Sequence, residues 1–264
     1  MNLEQIISSI KQKKSYLCVG LDTDINKIPK HLLKTADPVF EFNKIIIDAT
    51  KDLVIAYKPN LAFYESLGAK GIESLRKTIE YIPNNIFKIA DAKRGDIGNS
   101  SKYYAEAIFK TLNYDSITVS PYMGEDSIQP FCEYSDKGVF ILCLTSNSGS
   151  SNFQNKKIGD KELYLHVSEL AVTMNVNNNI GLVVGATQNN QMEFIKNYSA
   201  DLPWLIPGVG FQGGSLEDSI VIGSKNSSTP IINISRGIIY AGNGTIDDIR
   251  IATEDYTKKI RNIL

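Results

Sequence analysis

The chain has 264 residues, and its 28 lysines and arginines nearly balance 29 aspartates and glutamates, for a net charge of −1. That length suits two small domains or one large α/β barrel of about 250 residues; a single domain over 1–264 is the expectation. With no basic run or aromatic-basic stripe, the charge pattern excludes a nucleic-acid surface and points to a small ligand.

In chain order, residues 1–14 are polar and amphipathic, without the long apolar run of a signal peptide or membrane span, so a cytoplasmic location is expected. Eight short apolar runs follow, at 15–21, 54–58, 86–91, 117–120, 139–144, 181–185, 204–208 and 231–235. Their continuous apolar character suits parallel strands buried on both faces, and the stretches between them, such as 39–53 and 102–112, have helical spacing. Eight such units predict a closed (β/α)8 TIM barrel. A doubly wound sheet would carry a glycine-rich turn after its first strand, where this chain reads Gly20-Leu21-Asp22-Thr23-Asp24. Residues 145–159, rich in Ser, Asn and Gly, read as a surface loop or a lid.

Cys18, Cys132 and Cys143 are odd in number and widely spaced, which suits core thiols in a reducing compartment. The only histidines, His31 and His166, stand apart from any ligand-like cluster, so neither a histidine-based zinc site nor a Ser-His-Asp triad is expected.

In an eightfold barrel the working face is the rim at the carboxyl ends of the strands. There the sequence gathers Asp22 after the first run, Lys58-Pro59-Asn60 after the second, Asp91-Ala92-Lys93-Arg94-Gly95-Asp96 after the third, and Thr145-Ser146-Asn147 after the fifth. Asp91 and Lys93 fall on one side of a strand, Gly95 permits a turn, and Asp96 opens the next element. A lone Asp-x-Lys at a strand end is also what a structural ion-pair network with a capping aspartate looks like; the convergence of the other polar residues on the same rim favours a binding site. The seventh and eighth runs end in Pro207-Gly208-Val209-Gly210-Phe211-Gln212-Gly213-Gly214 and Ser235-Arg236-Gly237, where this fold usually holds phosphate: glycines can bare backbone N–H groups, and Arg236 offers a two-pronged donor. Turn glycines beside a surface arginine would look the same.

Taken together and in this order, these segments resemble the orotidine 5′-phosphate decarboxylase family, in its longer-chain bacterial branch. The resemblance spans most of the chain and implies decarboxylation of orotidine 5′-monophosphate to uridine 5′-monophosphate, the last step of de novo pyrimidine nucleotide synthesis. It implies a charged tetrad of Lys58, Asp91, Lys93 and Asp96. Asp96 and Ser100 would reach the partner's site across a homodimer interface. It further implies that Asp22 holds a ribose hydroxyl, that Ser146 reads the pyrimidine, and that Pro207, Gln212, Gly213 and Arg236 form the nucleotide and phosphate grip. No cofactor and no metal are implied. Ser100 stands where the family usually has threonine, Phe211 replaces a smaller residue, and Ser215 stands where an acid is common, which bears on how the phosphate loop packs and closes.

Two rivals remain from the sequence. Related sugar-phosphate decarboxylases and aldolases share the Asp-x-Lys-x-x-Asp run but use magnesium and an acid at the end of the second strand, where this chain has Lys58. A nucleotide-binding barrel without catalysis would also fit the fold.

Overall fold

A computed structural model describes residues 1–210 and 213–264 of the chain. Eight parallel strands close into a barrel: β1 (Leu17–Gly20), β2 (Ala56–Lys58), β3 (Phe87–Arg94), β4 (Ser116–Val119), β5 (Gly138–Leu144), β8 (Ile180–Val184), β9 (Trp204–Ile206) and β10 (Pro230–Ile234). Strand β1 pairs with both β2 and β10, Val19 lying opposite Tyr57 on one side and Ile234 on the other, which seals the cylinder. All eight expected runs are strands. The remaining two, β6 (Lys157–Ile158) and β7 (Lys161–Glu162), form a small antiparallel hairpin. It follows a short turn of helix at Ser148–Asn152, so the expected loop after the fifth barrel strand carries structure of its own.

The strands are mostly apolar because both faces are covered, with polar residues such as Lys58, Asp91 and Asn233 towards their carboxyl ends. Outward residues such as Leu17, Val19 and Ile117 pack with the surrounding helices in one large core. A second, smaller core fills the barrel's lower interior, where Cys18, Phe87, Ile89, Phe140, Leu205 and Ile231 meet Leu3, Ile6 and Ile10. Those last three come from the helix Leu3–Lys13, whose start is fixed by a reciprocal capping box between Asn2 and Gln5. The amphipathic opening segment is thus a plug across the amino-terminal end of the barrel. Burying an Ile or Leu side chain contributes about 1.5–3 kcal/mol, so three of them anchor the plug firmly. All three cysteines are buried and unbridged. Among the described residues no helix is long and apolar enough to cross a membrane.

Candidate active site

At the opposite end the strands open into a cavity of about 420 Å³, lined by residues from all eight barrel strands or the loops that follow them, including Asp22, Lys58, Asp91, Lys93, Ser146, Pro207 and Arg236. Gly20 lets the first and last strands meet there: a side chain on it would run into Ser235. Asp22 and Arg236 consequently share one wall. The Asp22 loop is fastened from below, since the Tyr64 hydroxyl donates to the Leu21 carbonyl and the Tyr240 hydroxyl both donates to the Asp22 carbonyl and accepts from the Asp24 N–H. With its backbone held, Asp22 keeps a buried carboxylate oxygen, Oδ1, that has no hydrogen-bond donor among the described residues. An acceptor left bare in a polar cavity is suited to a hydroxyl donor from a ligand.

The centre of the site is Asp91. Its N–H donates to the Pro59 carbonyl at 3.1 Å, tying the end of β3 to the segment after β2. One carboxylate oxygen accepts from Lys58 Nζ at 2.5 Å; the other accepts from Lys93 Nζ and, at 3.2 Å, from the Thr118 hydroxyl. Lys58 is 4% exposed. Burial opposes its charge, but the Asp91 and Asp22 carboxylates outweigh burial and hold the ammonium above the usual lysine range. Burial likewise pushes the Asp91 carboxyl up, and the two lysines reverse this, holding it well below the usual carboxylate range. Both therefore stay ionised at neutral pH. Lys93 differs: its side chain is about half exposed and stands at the cavity. The chain turns there, with Lys93 at φ 47° and the β3–β4 register shifting between Ala90 and Arg94.

Ser146 is pressed against the end of β8, where Gly185 leaves room for its backbone, and the Thr187 hydroxyl donates to its carbonyl at 3.3 Å. Gln154 steadies the preceding residue by accepting from the Thr145 N–H at 2.8 Å and donating to its hydroxyl at 3.0 Å.

Several expected site residues are not brought into the cavity. Asp96 and Ser100 do not line it; Asp96 is half-buried outside it and accepts from the neighbouring Ile97 N–H, and Ser100 is exposed. Asp96 does not cap the following helix either, because that helix, Gly98–Glu106, starts after Ile97. Gly213 borders a shallow depression beside Ala186 and Asn189 instead. In its loop the N–H groups of Gly210, Gly213 and Gly214 donate to carbonyls of the same loop, so these three are not the bare donors that the glycine pattern suggested. The tight turn consumes them. Gln212 and Phe211 lie outside the described residues. Conversely, Thr118 and Asn233 line the cavity and were not singled out from the sequence. The available signal for Thr118 was slight: one hydroxyl in the otherwise apolar stretch Ile117-Thr118-Val119 near a strand's carboxyl end. Among the described residues no group of three His, Cys, Asp or Glu side chains could hold a metal ion.

A closed eightfold barrel with a charged cavity at the carboxyl rim defines a TIM-barrel enzyme. Residues 15–245 match the model of the orotidine 5′-phosphate decarboxylase / HUMPS family, and the chain belongs to that family. It is 51% identical over 248 residues to the orotidine 5′-phosphate decarboxylase of Flavobacterium johnsoniae, covering 93% of this chain and 91% of that one. The protein of the same name from Phocaeicola vulgatus is 51% identical over 245 residues, covering 91% and 90%. Among solved structures, OMP decarboxylase of Leishmania donovani superposes with a TM-score of 0.88 at 40% identity, covering 100% of this chain and 98% of that one.

Proposed function

We propose that this cavity decarboxylates orotidine 5′-monophosphate to uridine 5′-monophosphate, with the whole chain 1–264 acting as one barrel unit. The observation that carries the reading is a buried carboxylate, Asp91, held between Lys58 and Lys93 on the lining of the cavity. The difficulty of the reaction explains the need for such a cluster. When the bond from C6 to the carboxylate breaks, CO₂ departs and the electron pair remains in the plane of the ring, where the π system does not spread it. The ammonium of Lys93 faces that charge as it forms and then transfers one proton to C6; the amine regains a proton from solvent. Fixed charge of this kind costs no reorganisation at the moment of reaction, which is where its catalytic effect lies. Asp91 keeps Lys93 oriented, and Lys58 keeps Asp91 ionised.

The remaining roles follow the same logic. Asp22, with its bare carboxylate oxygen, accepts from a ribose hydroxyl. Ser146 reads the pyrimidine edge. Pro207, Gly213, Gln212 and Arg236 belong to the nucleotide and phosphate grip, with Arg236 on the cavity wall as its main charge. Asp96 and Ser100 act in the site of a second copy of the chain. Their position outside the cavity supports this, as do the exposed Ile97, Tyr103, Tyr122 and Met123 around them, an apolar surface that a homodimer would cover. The enzyme works in the cytoplasm without cofactor or metal, and Lys58 at the end of β2 disfavours the magnesium-using sugar-phosphate reaction by placing a cation where that ion would sit.

The test is the fall in ultraviolet absorbance of orotidine 5′-monophosphate on adding purified protein in buffer with excess chelator. Rapid loss that vanishes in Lys93→Ala is expected. A folded protein that leaves the absorbance unchanged, or whose activity the chelator abolishes, overturns the reading.

A further inference from the structure

The hydroxyl of Thr118 occupies a distinctive place in the hydrogen-bond network of the site. Between Ala90, which pairs with Ile117, and Arg94, which pairs with Val119, β3 advances four residues while β4 advances two. Thr118 is the single residue opposite this bulge. A bulge leaves ladder groups unpaired, and here the threonine side chain supplies the missing partner: Oγ1 accepts from the Lys93 N–H at 3.0 Å and donates to Asp91 Oδ1 at 3.2 Å. It is 1% exposed, so water has little access to compete for either bond. Lys93 needs the support. Its backbone lies at φ 47°, the left-handed region that side-chain-bearing residues adopt only when their surroundings enforce it.

We infer that Thr118 is a positioning residue for the decarboxylation: one hydroxyl both pins the left-handed turn that aims Lys93 and fixes the Asp91 oxygen to which the Lys93 ammonium is bound. The inference rests on the decarboxylase reading above. It makes the site sensitive to an atom on a neighbouring strand whose role is to hold the proton donor in register.

The experiment compares wild type, Thr118→Val and Thr118→Ser for kcat and KM with orotidine 5′-monophosphate, alongside thermal denaturation. Valine keeps the shape and removes the hydroxyl; serine keeps the hydroxyl and removes a methyl. A hydrogen bond to a charged group, lost from a positioned catalyst, lowers kcat about tenfold to a hundredfold, and that is the effect expected for Thr118→Val. Its KM should stay within about threefold, because binding through the remote phosphate is untouched. Thr118→Ser should recover kcat to within about threefold of wild type. A merely packing role reverses the order, with valine active and serine impaired, and that result overturns the inference. So does a loss confined to KM. If the valine chain does not fold, Thr118→Ala removes the same hydroxyl and must show the same fall in kcat. Inactive wild type would instead defeat the decarboxylase reading itself, which the wild-type arm reports separately.

Discussion

Two buried lysines at opposite ends of the barrel behave in opposite ways. Lys58, at the carboxyl end of β2, lies against Asp91 and close to Asp22, and its charge is held above the usual lysine range. Lys196, on the helix Asn189–Tyr198, is 2% exposed, and its Nζ lies 4.1 Å from the ring centre of Trp204 at the amino-terminal end of β9. Among the described residues its Nζ has no hydrogen-bond partner. Burial draws it down to about 7, with only Asp201 opposing. The burial is alike; the partners differ. At the rim the cost of a buried charge is offset by carboxylates, as the proposed use of charge there requires. At the foot, among the described residues, it is the Trp204 face that meets the ammonium, and burial outweighs Asp201 and draws its proton affinity down.

The comparison can be broken most severely at its working end. Lys93→Ala should lower decarboxylation at least about a thousandfold while circular dichroism stays native, since the side chain is half exposed and supports little of the core. Substantial turnover in that variant would remove the reason for a charged rim.

Next in size, Asp91→Asn turns Lys58 into a lysine like Lys196, buried without its ion-pair partner. Denaturant unfolding should show a loss of about 3–5 kcal/mol, the usual consequence of stranding a buried charge. A lysine-selective NMR titration should find Lys58 fallen below its ordinary range. The wild-type pair also fixes the sign of the acid response. Asp91 is held below its usual 3.8, so its stabilisation is complete above that value and drains away as the pH falls beneath it. Unchanged stability in Asp91→Asn would mean that the carboxylate contributes nothing to holding Lys58.

The smallest effect runs the other way. Lys196→Met should stabilise the protein by about 1–4 kcal/mol at pH 7, because a methionine fills similar space without a charge to desolvate. The folded value of about 7 lies below the usual 10.5, so between these two the unfolded chain binds a proton that the folded chain does not, and wild-type stability rises with pH. The penalty is largest below pH 7 and falls as the pH rises from there, so the advantage of methionine should shrink towards pH 10. Unfolding curves at pH 6.5 and pH 9.5 check both size and slope. A destabilised Lys196→Met would show that the tryptophan contact outweighs the cost of burying the lysine.

Legibility in the sequence follows the same division. The eight barrel strands could be read because two-sided burial writes itself as unbroken apolar runs, and Asp22, Lys58, Asp91 and Lys93 because polar residues at the ends of such runs are conspicuous. Thr118 was not legible, since its importance comes from a register shift between two strands, and one strand alone shows no register. Lys196 reads from its helix as one more solvated lysine; only the docking of that helix against Trp204 buries it. The glycines after β9 read from the sequence as bare donors; the N–H groups of Gly210, Gly213 and Gly214 bond instead to carbonyls of their own loop.

The plug formed by the helix Leu3–Lys13 has a consequence for traffic. A barrel stoppered at its foot is a vessel with one mouth, and the nucleotide that enters by that mouth stands in it while the reaction proceeds. On the proposed reaction, carbon dioxide released in the cavity would meet that plug below and leave by the rim through which the nucleotide entered.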